Sequence, residues 1–403
     1  MTNTPVRALL LEQIHPDAES ILRSAGFEVR TVDRALDEDE LVEAVADVTL
    51  LGVRSKTQVT RRVLEAAPHL LAVGAFCIGT NQIDLLAASE RGVTVFNAPF
   101  SNTRSVVELA IAEIISMTRR LTEKNALMHA GVWDKSAEGA HEVRGRTLGI
   151  VGYGNIGTQL SVLAENLGMR VLFYDTADRL ALGNARRCIS LKDLLNESDV
   201  VTLHVDGRAS NQNLFGEAEF AQMRDGSLFL NLSRGFVVDY AALRTHIESG
   251  HIAGAAVDVF PVEPKGRGDE FVSELRGLPN VVLTPHIGGS TEEAQQDIGR
   301  FVAGKFRDFV LDGSTAMSVN VPGLALPRAA GTLRLIHLHR NVPGVLARVN
   351  GLLAEGGVNV EAQLLGTRGD LGYVVTDSAS GTTQAIVDQI RALPETISLR
   401  VIF

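Results

Sequence analysis

Three side chains far apart along the chain carry the first chemistry to stand out. They are Arg234 in Asn231–Gly235 (NLSRG), Glu263 in Asp258–Pro264 (DVFPVEP) and His286 in Thr284–Ser290 (TPHIGGS). Each motif follows an apolar, β-rich run, so each belongs at the carboxyl end of a strand, where open α/β folds bind ligands. An imidazole titrates near neutrality and can accept a hydroxyl proton. A carboxylate beside it favours the imidazolium and fixes the ring, and a guanidinium can hold a carboxylate bidentately and polarise a developing carbonyl. Together the three suit the oxidation of a secondary alcohol. Singly, Arg234 reads as well as a surface ion-pair partner, Glu263 as a solvated loop acid and His286 as a structural histidine.

A hydride acceptor is indicated upstream. Thr147–Gly157 reads TLGIVGYGNIG, an apolar strand running into Gly152, Gly154 and Gly157 at the GxGxxG spacing, followed by a helical pattern that stops near Gly168. The first glycine permits a tight turn, the second lets backbone approach a pyrophosphate, and the third lets helix pack on strand. The phosphates would then meet free N–H groups at a helix N-terminus. A second strand, RVLFY, ends in Asp175, near the roughly twenty-residue offset expected of the acid that holds ribose hydroxyls. A carboxylate there repels a 2′-phosphate, so the expected cofactor is NAD rather than NADP.

The elements that must position these groups can be read from periodicity. With 403 residues the chain calls for two or three domains. Val6–Leu11 (an apolar run cut by Glu12), Phe27–Val32, Val48–Val53, Leu70–Ala75 and Val93–Phe96 read as strands alternating with helices such as Glu40–Ala46 and Arg61–Ala67. A long helix is expected from Arg104 to Met128. Thr147–Val151, Arg170–Tyr174, Val200–His204, Ser227–Leu232, Ala253–Val257 and Asn280–Thr284 form a second alternating set. The fold class expected is α/β, with two doubly wound parallel sheets in tandem. Gly313–Gly331, with Pro322, Gly323 and Pro327, reads as a linker. Beyond it, strand Thr332–His339, helix Val345–Ala354, strands Val358–Gly366 and Gly372–Asp377, helix Thr383–Ala392 and strand Ile397–Phe403 give a βαββαβ ferredoxin-like order.

Composition narrows the classes. A formal charge of −10 argues against a nucleic-acid partner, yet local cations can still hold a small anion. The two cysteines, Cys77 and Cys188, lack metal-like spacing and suit reduced thiols in the cytoplasm, and no metal is expected. The apolar run ending at Leu11 reads as a strand rather than a signal peptide. Val106–Met117 is too short to span a bilayer, so no membrane association is expected.

The three strand-end motifs, with GYGNIG and Asp175, resemble those of the D-2-hydroxyacid dehydrogenases. That resemblance implies Arg234, Glu263 and His286 as catalytic. It implies an NAD site lined by Gly152, Gly154, Asn155, Ile156, Gly157, Asp175, Leu232, Ser233, Arg234, Asp258, His286, Gly288 and Gly289. It also implies a discontinuous substrate domain (1–103 and 291–318), an NAD domain (104–290), a linker (319–331) and a regulatory ACT domain (332–403), with an active site that closes between the first two. Many relatives read LHVP where this chain has Leu203-His204-Val205-Asp206.

The strings Phe76–Leu85 (FCIGTNQIDL), Val95–Ala110 (VFNAPFSNTRSVVELA), Gly52–Thr57 (GVRSKT) and Gly131–Ala137 (GVWDKSA) are similar to the branch of that family that oxidises 3-phosphoglycerate to 3-phosphohydroxypyruvate, the first step of serine biosynthesis. Phosphate binding is expected from Arg54 and Lys56, with Arg34 and Lys135 as further candidates, Lys135 reaching in from a neighbouring subunit. Backbone of Gly79, Thr80 and Asn81 would hold the substrate carboxylate. Leu333–Val360 resembles an ACT domain. By that resemblance His339, Asn341 and Asn359 bind L-serine as a feedback effector, and the assembly is a homotetramer joined through the nucleotide-binding and ACT domains. Asn341 could equally support the turn before Pro343. A hydroxypyruvate or 2-oxoacid reductase of relaxed specificity and a nonenzymatic NAD-sensing scaffold are the competing readings.

Overall fold

A computed structural model describes residues 5–264, 268–328, 331–378 and 382–402. Residues 329–330 of the expected linker and Phe403 of the expected last strand lie outside them. The chain divides into two units, one made of Met1–Ser101 with Gln295–Phe403 and the other of Asn102–Ala294.

In the first unit, strands β1 (Arg7–Leu11), β2 (Glu28–Val32), β3 (Leu50–Val53), β4 (Ala72–Ala75) and β5 (Thr94–Asn97) form a parallel sheet in the order β2-β1-β3-β4-β5. Both faces are buried at β1, β3, β4 and β5, so these strands read as apolar runs rather than as alternating ones, while the edge strand β2 is largely exposed. Successive side chains still part company: Leu9, Leu11, Leu51 and Val53 enter one core, while Ala8, Leu10 and Leu50 enter the other. That second core is closed by the helix Glu292–Asp312, whose Ile298, Val302, Phe306 and Phe309 make one apolar stripe.

The second unit holds a seven-stranded sheet in the order β12-β11-β10-β9-β6-β7-β8, parallel throughout. Its strands are β6 (Thr147–Val151), β7 (Arg170–Tyr174), β8 (Arg186–Arg187), β9 (Val200–Leu203), β10 (Ser227–Asn231), β11 (Ile252–Val257) and β12 (Val281–Leu283). The short edge strand β8 carries no apolar run and is invisible to periodicity. The single helix expected from Arg104 to Met128 is instead two, Thr103–Thr118 and Leu121–His129. Arg120 between them sits at φ 50°, a left-handed conformation that an α-helix of L-residues cannot pass through.

The C-terminal strands β13 (Leu333–Arg340), β14 (Val360–Arg368), β15 (Leu371–Ser378) and β16 (Thr396–Ile402) form an antiparallel sheet in the order β14-β15-β13-β16. Helices Val345–Glu355 and Gln384–Arg391 cover one face through Val345, Val349, Leu353, Ile386 and Ile390. Val321 packs with Ile336, Leu338, Tyr373 and Val375 on the other.

The start of the expected linker is therefore part of the fold. Asn320 accepts the Val95 N–H at 2.8 Å and donates to the Val93 carbonyl at 2.8 Å. Arg334 and Asp377, both fully buried, form a two-bond ion pair at 2.6 Å. Arg334 also donates to the carbonyls of Asp312 and Leu326, each at 2.8 Å. Arg400 donates to the Phe309 carbonyl at 2.7 Å and lies over its ring, and the Tyr373 hydroxyl donates to the Gly313 carbonyl. Cations thus meet the negative end of the helix Glu292–Asp312.

Candidate active site

The glycine turn after β6 uses each glycine for a different reason. Gly152 has φ 93°, and a Cβ there would come 2.5 Å from the His204 carbonyl oxygen. Gly157 packs so tightly on the Gly152 carbonyl that no side chain fits. Gly154 faces open space, with nothing within 4 Å of a built Cβ, and it caps the helix Asn155–Asn166 without a side-chain acceptor. A cavity of about 320 Å³ opens here, lined by Tyr153, Gly154, Asn155, Thr158, Arg179, Leu180 and Leu182. Open backbone at a free helix N-terminus is what a dinucleotide's phosphates require, so these residues fit NAD. Asp175, at the end of β7, accepts N–H bonds from Tyr153 and Ala177 at 2.8 Å each, which holds its carboxylate at the rim of the turn.

Beyond the ends of β10, β11 and β12 the catalytic candidates converge. The His286 Nδ1 lies 2.9 and 3.0 Å from the two Glu263 oxygens. A carboxylate can only accept, so Nδ1 carries the proton and Nε2 keeps its lone pair. The hydrogen bond from Glu263 raises the His286 pKa, against the opposing effect of burial. Burial pushes Glu263 upward, but bonds from His286 and the Phe260 N–H, with the charges of His286 and Arg234, leave it below its ordinary value. His286 itself stands at φ 56°, a strained conformation for a non-glycine residue and one that clusters at functional sites.

Two residues set this geometry. Asp258, 2% exposed, accepts the Thr284 hydroxyl at 2.6 Å and the N–H groups of Ile287 and Gly288 at 2.8 Å each, so it shapes the loop that carries His286. Asn231, fully buried, does the same for Arg234: its amide donates to the Arg234 carbonyl and the Tyr240 hydroxyl, and its oxygen accepts from Ser233. Tyr240 in turn donates to the Val259 carbonyl at 2.7 Å, joining two of the three motifs. Tyr240 escaped the sequence reading because nothing local marks a tyrosine that bridges strands. The departure at Asp206 is an ion pair with Arg208, and the Arg234 charge acts on Asp206 as well.

Of the phosphate candidates, Arg34, Arg54 and Lys56 lie in the first unit. Arg54 and Lys56 follow β3, and Arg54 is half-buried while Lys56 is exposed. Arg34 is engaged by Glu40 through two bonds of 2.7 and 2.6 Å, which hold the Glu40 carboxyl down at about 2. Lys135 is exposed in the second unit. On either side of the turn 79–81, Gln82 donates to the Arg54 carbonyl at 2.6 Å and Asn97 donates to the Ile78 carbonyl.

Of the effector candidates, His339 is buried, with Nδ1 on the Arg340 carbonyl at 2.8 Å, and Gly372 leaves room for its ring. Asn341 donates to the Gly369 carbonyl, and Asn341 and Asn359 are exposed. His337 packs beside His339 with ring centroids 5.0 Å apart.

Residues 111–288 match the family model of the D-isomer specific 2-hydroxyacid dehydrogenase NAD-binding domain, and residues 335–398 match the AHAS small subunit-like ACT domain. D-3-phosphoglycerate dehydrogenase of Haemophilus influenzae is 49% identical, covering 100% of this chain and 98% of the relative. The Escherichia coli K12 protein of that name is also 49% identical, covering 99% and 98%. A D-lactate dehydrogenase from Aquifex aeolicus, solved with NAD and lactic acid, superposes with a TM-score of 0.68 at 26% identity over 78% of this chain and all of that one. The chain belongs to the D-3-phosphoglycerate dehydrogenases of the D-isomer-specific 2-hydroxyacid dehydrogenase family and carries a C-terminal ACT domain.

Proposed function

We propose that the protein oxidises 3-phospho-D-glycerate to 3-phosphohydroxypyruvate in the cytoplasm, the first step of L-serine synthesis, under feedback by L-serine. The observation that carries the chemistry is the His286–Glu263 pair, whose geometry leaves Nε2 as an acceptor. NAD, when bound, supplies the acceptor for the hydride that leaves C2. His286 takes the C2 hydroxyl proton at Nε2, and Glu263 stabilises the imidazolium that results. Arg234 holds the substrate carboxylate and polarises the developing carbonyl. The phosphate falls to Arg54 and Lys56, with Lys135 contributed by a neighbouring subunit of a homotetramer. The Gly79–Asn81 backbone assists at the carboxylate. In the ACT domain, His339, Asn341 and Asn359 bind L-serine, whose ammonium and carboxylate suit donor and acceptor groups of an amide. Serine then acts as a coupling free energy between two sites.

The test is NADH formation from 3-phosphoglycerate, titrated with L-serine. Arg54→Ala raises KM for the phosphorylated acid by about tenfold or more, the loss of a charge-assisted contact, and leaves an unphosphorylated hydroxy acid unchanged. Turnover of only unphosphorylated acids would hand the chain to the reductase reading. Indifference to millimolar serine in both rate and nucleotide affinity would remove the feedback.

A further inference from the structure

One buried acid belongs to neither the catalytic trio nor the nucleotide turn. Glu12 lies just past β1 and is 8% exposed. It stands at φ 64° and its neighbour Gln13 at φ 54°. Two successive non-glycine residues in the left-handed region are strained, and such strain persists only where the surroundings fix it. The fixing contacts are known. The Glu12 N–H donates to the Val32 carbonyl at 2.9 Å, joining it to the end of β2.

The side chain makes no ion pair among the described residues. Its carboxylate instead accepts three backbone N–H groups from the loop after β3: Arg54 at 3.2 Å, Lys56 at 3.1 Å and Thr57 at 2.9 Å. Converging backbone N–H groups of this kind form a concavity that binds anions. Here the concavity is filled from within the chain. The Arg54 guanidinium turns back to the Glu12 carbonyl at 3.4 Å. The loop is held a second time by Gln82, 3% exposed, whose amide donates to the Arg54 carbonyl at 2.6 Å and lies 3.4 Å from the Gly79 carbonyl.

We infer that Glu12 is a positioning residue for the reaction: its buried carboxylate fixes the Arg54–Thr57 loop, and with Gln82 it sets the spacing between that loop and the Gly79–Asn81 turn. The inference rests on the proposal that Arg54 and Lys56 hold the substrate phosphate. Under it, Glu12 occupies the loop's own anion site, so the phosphate is left to side chains whose backbone is already ordered. Pre-ordering a site that must grip both ends of a three-carbon acid favours that length and charge over shorter or unphosphorylated acids.

The experiment uses the full-length enzyme carrying Glu12→Gln, in which an amide NH₂ replaces one oxygen and at least one loop N–H loses its acceptor. KM for 3-phosphoglycerate rises about tenfold, kcat stays within about threefold, and KM for D-glycerate and the affinity for NADH stay unchanged. Should that variant not fold, Glu12→Asp, which keeps the charge but draws it back by one methylene, is read the same way with a smaller rise. An equal change for both acids, or a fall in Tm with unaltered kinetics, overturns the positioning role. Arg54→Ala run alongside separates the two claims. A phosphate-selective effect there with none in Glu12→Gln sinks only the role of Glu12, whereas an unselective Arg54→Ala sinks the phosphate assignment itself.

Discussion

Two histidine sites in this chain are built to opposite electrostatic rules. His286 is half-exposed and meets Glu263 through both carboxylate oxygens, so its pKa is raised. His337 is buried in the ACT sheet beside His339, with the Thr396 hydroxyl at 2.8 Å on one ring nitrogen, and burial pushes its pKa down to about 4. The same imidazole is a proton acceptor where a carboxylate and solvent attend it, and a neutral packing element where they do not. Composition or a list of histidines would not separate them. The group on the bonded ring nitrogen does, a carboxylate at His286 and a hydroxyl at His337.

The largest test of that contrast is deletion of each ring. His286→Ala lowers kcat by about 10²- to 10⁴-fold, the usual contribution of a general base. His337→Gln leaves kcat within about twofold, as expected of a residue outside the reacting groups. A comparable loss in both variants would erase the distinction.

Next comes Glu263→Gln. The largest cause of the raised His286 pKa is the Glu263 hydrogen bond, so its loss lets that pKa fall. The base must be neutral to act, and the acidic limb of the kcat/KM profile therefore moves to lower pH, while the maximal rate drops. A limb that stays in place would mean that another group controls it.

The smallest effect concerns stability, and the two sites have opposite signs. The raised pKa of His286 contributes stability that is complete below its unfolded value and is lost as pH rises through the folded one. The depressed pKa of His337 works the other way. Its contribution is complete above the ordinary value of 6.5 and disappears as pH falls toward about 4. Protection of β13 and β16 amides against hydrogen exchange, relative to the intrinsic rate at each pH, should fall across that window, and the fall should be blunted in His337→Gln. Protection that does not change across it would show that the ring is not held neutral.

Much of this was legible in the sequence because it is local. Strand ends such as Val151 and Tyr174 fall where periodicity puts them, and the glycine spacing carries its own steric logic. The trio could be named from strand-end motifs because chemistry restricts which residue types serve. What escaped depends on single long-range contacts. Glu12 reads in sequence only as the residue that interrupts an apolar run, and its partners lie more than forty positions away. Arg120 breaks a helix whose composition gives no reason to stop. Asn320, in a stretch rich in small residues and proline, looks like spacer until its bonds to Val93 and Val95 are seen.

The grip of Arg334, Tyr373 and Arg400 on the last turn of the helix Glu292–Asp312 has a consequence for anyone redesigning the molecule. Cutting the gene at this junction would strip Phe309 of its cationic cover, and cutting before Asn320 would leave the Val95 amide without its acceptor. The ACT domain is thus no detachable cassette, and a swap with a foreign one must import matching arginines along with it.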